Sequence, residues 1–153
     1  MKIYLATDHA GFGLKEEVRV YLEDKGYDIA DCGALTLEEG DDYPHYMALA
    51  ASRVKADTMH DPSLAIIFGG SGQGEAIVAN RYAHVRAIGY AGGNLELVKL
   101  GKEHNDANVL SIGARFVTTA EAIQAIELFL KTPFSHEERN ADRIIQIDQI
   151  THS

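Results

Sequence analysis

The sequence predicts an α/β protein built on a parallel sheet, and three observations carry that reading. Short runs rich in Ile, Leu and Val recur along the chain, each is followed by a segment of helical periodicity, and the junctions after the runs are polar and glycine-rich. The strands read as residues 2–7, 28–32, 65–68, 86–90 and 109–112. Between the first two, Leu14, Val18, Tyr21 and Leu22 repeat at helical spacing with Lys15, Glu16, Glu17 and Arg19 between them, and Gly26 stands where a C-terminal cap belongs. That segment is an amphipathic crossover helix. Further helices are expected at 46–55, 74–81, 94–104, 119–131 and 135–149. Thr118 or Thr119 before Glu121 signals one N-terminus, and Ser135 before Glu137 and Glu138, with Pro133 upstream, signals another. The last helix is expected to extend beyond the sheet and to lie on a partner subunit.

The chain of 153 residues suits one domain spanning 1–153, in which roughly two thirds of the unfolded surface is buried on folding. Hydrophobic residues at 46% and charged residues at 24% are spread evenly, with no linker between two composition regimes. The first residues are too short an apolar stretch for a signal peptide, and runs such as 64–68 are strand-sized, so a soluble, cytoplasmic protein is expected. Cys32 is the only cysteine, which excludes an intramolecular disulfide and a thiolate metal cage; it reads as a small core hydrophobe. The net charge of -9 disfavours nucleic acid and anionic membranes as partners. One phosphate can still be held by local cations, and Arg115, Arg139 and Arg143 supply candidates. The run 38–42 reads as a solvated acidic loop.

In doubly wound sheets ligands bind beyond the carboxyl ends of the strands. Here those places hold Asp8-His9-Ala10-Gly11, then Gly69-Gly70-Ser71-Gly72-Gln73-Gly74-Glu75, and Gly113-Ala114-Arg115. The segment GGSGQGE is the strongest local signal: glycines let successive amides turn to one point, and the helix start adds donors and a positive dipole end. Glu75 stands where a nucleotide phosphate loop needs its lysine, and the dinucleotide fingerprint also fails, so the nest suits a transient oxyanion. A carboxylate beside such a nest is the pair of parts that proton abstraction next to a carbonyl requires. Glu75 read alone serves equally as a capping acid in a first helical turn. His9 beside Asp8, and His104 beside Asn105, are candidates for acid–base work, with surface histidines as the alternative reading. None of the seven histidines has a recognised metal spacing. Arg139 and Arg143 are four apart, on one face of the last helix, able to close on a phosphate or to pair with Glu137, Glu138 or Asp142.

The segments ATDHAG (6–11), DCG (31–33), DDYP (41–44), GGSGQGEAIVANR (69–81), EHNDAN (103–108), IGAR (112–115) and ERNADRI (138–144) together resemble the ribose-5-phosphate isomerase B family, which includes the galactose-6-phosphate isomerase subunits. The resemblance runs in order over nearly the whole chain. It implies a single-domain αβα sandwich with a five-stranded parallel, Rossmann-like sheet, forming dimers and sometimes tetramers with active sites shared between subunits. By position it implies that Glu75 moves the proton between C1 and C2, and that the amides of Gly70, Ser71, Gly72 and Gly74 form the anion hole, with Ser71 hydrogen-bonding near the base. Asp8 would contact substrate hydroxyls, His104 would assist ring opening and Asn105 would help hold the enediolate. His9, Arg115, Arg139 and Arg143 would grip the phosphate, with Tyr43 nearby. The family has a cysteine-base version, with the thiol at the position of Gly69, and a glutamate-base version; this chain resembles the second.

The implied activity is interconversion of ribose 5-phosphate and ribulose 5-phosphate through a cis-enediolate, without metal or cofactor. A six-carbon substrate, allose or galactose 6-phosphate, is the enzymatic alternative. A receiver or nucleotide-sensing module is the non-enzymatic one, disfavoured because its acidic pair, acceptor Asp and Lys are replaced here by Asp8-His9, glycines and Arg115.

Overall fold

The computed structural model describes residues 1–150. Strands β1 (Lys2–Thr7), β2 (Asp28–Asp31), β3 (Leu64–Gly69), β4 (Ala87–Tyr90) and β5 (Val109–Gly113) form one parallel sheet in the order β2-β1-β3-β5-β4. Register pairs Leu5 with Asp31 and with Ile66, and Ile66 with Leu110. Helices α1 (Phe12–Asp24), α2 (Tyr43–Asp57), α3 (Gln73–Ala79), α4 (Glu96–Asn105), α5 (Thr119–Lys131) and α6 (Glu138–Ile150) follow in turn, with a 3-10 turn at His9–Gly11.

Side chains on a strand alternate between faces, and here both faces are covered. Ile3, Leu5, Ile66, Phe68, Leu110 and Ile112 pack with Val18 and Leu22 of α1, Val98 of α4 and Ile126 and Phe129 of α5. On the other face Tyr4, Ala6, Ala65, Ile67 and Val109 meet Met47, Ala50, Ala51 and Val54 of α2 and Ala79 of α3. This is the expected αβα sandwich. It also explains why β3 reads as an unbroken apolar run, since all six of its residues are buried.

Local signals account for most boundaries. Gly26 has φ +83°; its amide bonds the Glu23 carbonyl, and the Tyr27 amide bonds that of Leu22, which closes α1 in a left-handed cap. Thr118 and Glu121 form a reciprocal capping box on α5. Other boundaries shift. Helix α2 begins at Tyr43 rather than residue 46, with Pro44 in its first turn, where the missing N–H costs nothing. Helix α6 begins at Glu138 rather than 135, because His136 adopts φ +57° and Ser135 Oγ instead accepts from Asn140 Nδ2 and the Glu137 amide. Lys15 corrects the reading of α1: placed in the polar set by spacing, it is 0% exposed, its ammonium held by Asp31 and by the Ala34 carbonyl at 3.0 Å.

Chain order reverses across β1 and β3: β2 lies to one side of β1, and everything after β3 lies to the other. The crevice at that switch point is where a doubly wound sheet receives its ligand. Helix α6 buries only Asn140 and packs chiefly on α4, while Asp148 reaches His84 Nδ1 at 3.1 Å and Arg86 at 3.9 Å. Ile145 and Ile150 are exposed on it. Among the described residues no helix is long and apolar enough to cross a membrane.

Candidate active site

Beyond the carboxyl ends of β1, β3 and β5 the surface opens into a cleft of about 570 Å3, lined by Asp8, His9, Tyr43, Gly70, Ser71, Gly74, Glu75, Arg115 and Phe116 among others. Register brings these segments together. Thr7 pairs with Phe68 and Gly69 with Gly113, so the polar residues that follow each strand emerge side by side. The β3 and β5 turns are further stitched by the Ala114 amide to the Gly69 carbonyl at 2.8 Å and the Arg115 amide to the Gly70 carbonyl at 3.1 Å.

Glu75 is the centre of the cleft. It lies in the first turn of α3 and is only 4% exposed. Its carboxylate rests directly over the Cα of Gly69: a Cβ built there would fall 1.8 Å from Oε1. The carboxylate therefore occupies the volume that any side chain at residue 69 would need. Burial raises its pKa above the ordinary 4.5, its own backbone amide partly opposes this, and the Asp8 charge adds to the rise.

The turn that presents Glu75 depends on Gly72, whose φ of +77° is disfavoured for residues with a Cβ. Gly72 is packed against Ile112 and Gly113, and its carbonyl accepts from Ser111 Oγ at 2.6 Å. It shapes the nest from behind rather than lining the cleft, unlike Gly70 and Gly74. Ser71 is exposed at the rim, its Oγ accepting from the Gln73 amide at 3.3 Å. The Arg115 guanidinium lies over Gly70, and the Tyr43 ring, from the first turn of α2, is seated against Gly74. Arg115 has no ion-pair partner among the described residues and is exposed to the cleft.

Asp8 is buried and caps the 3-10 turn, its Oδ1 accepting from the Ala10 amide at 3.0 Å. His9 follows at the rim. Its backbone amide and its Nδ1 both lie 2.8 Å from Asp41 Oδ1. Asp41 corrects the reading of 38–42 as a wholly solvated loop, since its side chain is 8% exposed. It is the residue that sequence reasoning missed. The only signal was its place beside the Tyr-Pro start of α2, and its partner is 32 residues away. The hydrogen bond to Asp41 raises the His9 pKa, burial opposes it and the Asp8 charge adds to it. For Asp41 burial alone would raise the pKa, but the His9 amide and ring bonds outweigh it and hold the carboxyl below its ordinary range. Asp8, His9 and Asp41 have ligand atoms within 4.8 Å of one another, close enough for a metal ion. Two of the three, His9 and Asp41, are joined directly by hydrogen bonds.

The remaining expected residues lie elsewhere on the same chain. His104 and Asn105 are exposed in the last turn of α4, and Asn105 borders a separate groove with Asp148 and Ile147. Arg139 and Arg143 share one exposed face of α6 with Glu138, Asp142 and Gln146. Among the described residues neither arginine forms an ion pair, so the pairing with Glu137, Glu138 or Asp142 that their spacing allowed does not occur.

The sequence pattern of the ribose/galactose isomerase family matches residues 3–147. The ribose-5-phosphate isomerase B of Mycolicibacterium paratuberculosis is 41% identical over 145 residues, covering 94% of this chain and 87% of that one. The ribose-5-phosphate isomerase B of Mycoplasma genitalium, solved with ribulose 5-phosphate bound, superposes with a TM-score of 0.92 at 32% identity, over 99% of this chain and 97% of that one. The Clostridium thermocellum enzyme of the same name gives 0.90 at 32% identity, over 99% and 98%. With a matching sheet, a matching sequence pattern over nearly its full length and a carboxylate set over the third strand's terminal glycine, the chain belongs to the ribose/galactose isomerase family.

Proposed function

We propose that this protein interconverts ribose 5-phosphate and ribulose 5-phosphate, with Glu75 as the base. The observation that carries the reading is the buried Glu75 carboxylate, set over Gly69 beside the glycine turn in the switch-point cleft. Proton abstraction from a carbon acid needs a base whose pKa approaches the working pH, and burial moves Glu75 in that direction.

In the open-chain aldose, Glu75 takes the proton from C2; the C2–H electrons form C1=C2 and the C1 carbonyl electrons move to O1. Backbone amides at Gly70, Ser71 and Gly74 suit the developing oxyanion. Glu75 then returns its proton to C1, which the C1=C2 electrons take up; the O2 hydroxyl passes its proton to O1, the O2–H electrons form the C2 carbonyl, and the ketose results with Glu75 again ionised. Asp8 holds substrate hydroxyls, Tyr43 closes the far wall, and His9 and Arg115 hold the phosphate at the rim. The chain acts as a homodimer: the partner's Arg139 and the partner's Arg143 complete the phosphate site, the partner's His104 assists ring opening and the partner's Asn105 helps hold the enediolate. The exposure of Arg139 and Arg143, unpaired among the described residues, on a helix that packs little of its own surface supports this assignment.

The test is ketose formation from five- and six-carbon aldose phosphates in the presence of EDTA, with solvent deuterium incorporation read at the reacting carbons. Turnover of ribose 5-phosphate with exchange is expected. No turnover of any member overturns the proposal.

A further inference from the structure

We infer that Asp41 is a positioning residue for His9, fixing its ring so that Nε2 faces the cleft and keeping it an imidazolium for an anionic ligand. The inference rests on the phosphate role proposed for His9 and adds a residue to which that reading gives no part. Three observations carry it. A single oxygen, Asp41 Oδ1, receives both the His9 amide and His9 Nδ1 at 2.8 Å, which locks χ1 and χ2 of the ring together. With Nδ1 committed to Asp41, only Nε2 remains to meet a ligand, and His9 lines the cleft. The third observation is the other oxygen. Asp41 Oδ2 is buried with no hydrogen-bond partner among the described residues. A buried carboxylate so poorly solvated is stabilised by a cation at its satisfied oxygen, and among the described residues the imidazolium is the only one within ion-pair distance.

The charged and titratable surroundings agree. Asp8 Oδ2 stands 3.8 Å from His9 Nδ1 and favours the cation. On α2 the Tyr46 hydroxyl stands close enough to Asp41 to help hold its carboxyl down, and Glu38 lies near Tyr46 in the loop. Across the cleft are Glu75, Arg115 and Tyr43. Of these, Arg115 alone opposes protonation of His9. It is also the group beside which a phosphate would lie, so bound dianion and Asp41 act on the imidazolium in the same sense.

The consequence is a phosphate site whose cation persists above the ordinary histidine range. The experiment follows His9 directly by NMR of 13C-histidine-labelled protein through a pH titration, together with the affinity for inorganic phosphate at pH 5.5 and 7.5, in wild type and Asp41→Asn. Wild-type His9 should titrate above 6.5. In D41N its midpoint should fall, and phosphate should bind about tenfold more weakly at pH 7.5, the worth of one charge-assisted hydrogen bond. At pH 5.5, where acid favours the imidazolium even without Asp41, the affinities should converge. Asp41→Glu should recover part of the loss, and with a sugar phosphate KM should change more than kcat.

Equal affinities at pH 7.5, or a pH-independent loss in D41N, would overturn the inference, the latter marking a merely structural role. Wild-type His9 titrating at or below 6.5 overturns it without any variant, should D41N fail to fold. Neither readout needs turnover, so a protein that passes them without isomerising any sugar would sink the proposed activity alone.

Discussion

Replacing Gly69 by Ala tests the placement of Glu75 more sharply than removing the carboxylate. Gly69 ends β3 in extended conformation, paired with Gly113, so alanine adds no backbone strain. What it adds is a methyl group 1.8 Å from Oε1 and 2.0 Å from Cδ of Glu75, where ordinary contact begins at 3.4 Å. The carboxylate must withdraw by about 1.6 Å. A misplacement of ~1 Å can cost on the order of 100-fold in rate. G69A should therefore lower kcat/KM for ribose 5-phosphate by ~100- to 1,000-fold, about 2.7–4 kcal/mol of transition-state stabilisation. The assay is steady-state ketose formation with deuterium exchange, alongside circular dichroism for fold and inorganic phosphate affinity for the rim of the site. Because both changes act through one carboxylate, G69A combined with Glu75→Gln should lose little beyond E75Q alone. A folded G69A enzyme within about threefold of wild type would refute the reasoning, since on the geometry described the base cannot stay where it is.

Three further outcomes are expected. Glu75→Gln should abolish exchange at C2 while sparing phosphate binding. It should also stabilise the fold at neutral pH: the raised Glu75 pKa means that its contribution to stability is fully present below the ordinary 4.5 and is lost as pH rises through the folded value, so urea midpoints of E75Q and wild type should coincide in acid and separate above it. Mixing inactive E75Q with an inactive Arg139→Ala/Arg143→Ala protein should restore activity if sites are shared. A random mixture of dimers then holds about a quarter of its sites intact, and no recovery would place the arginines in cis. Lys15→Met should cost about 3 kcal/mol by urea denaturation, because it strands the Asp31 carboxylate, and a change under about 1 kcal/mol would show that the pair is dispensable.

The legible parts of this chain are local. Alternating apolar runs and helical segments show in the sequence because a strand's burial and a helix's stripe are written in neighbouring residues, as at β3 and α5. The turn before α3 was legible for the same reason, since four glycines in six residues have few uses besides presenting amides. The misreadings share a cause as well. Lys15 sits at a polar position of its helical repeat, and its buried ammonium is met by Asp31 and Ala34 from beyond the helix as well as by Glu16 within it. Asp41 sits in an acidic run, and its tie to His9 in the 3-10 turn after β1 lies 32 residues away in the chain.

By itself, then, the sequence determined the α/β class, the five strands and the position of the glycine turn with the carboxylate that follows it, all properties of short-range pattern and turn chemistry. Tertiary structure alone decided the order β2-β1-β3-β5-β4, the seating of Glu75 over Gly69, the tie between Asp41 and His9, and the separation of His104, Asn105, Arg139 and Arg143 from the cleft of their own chain. Those depend on which distant segments meet, and the free energy of such meetings comes from burying surfaces whose partners lie tens of residues apart.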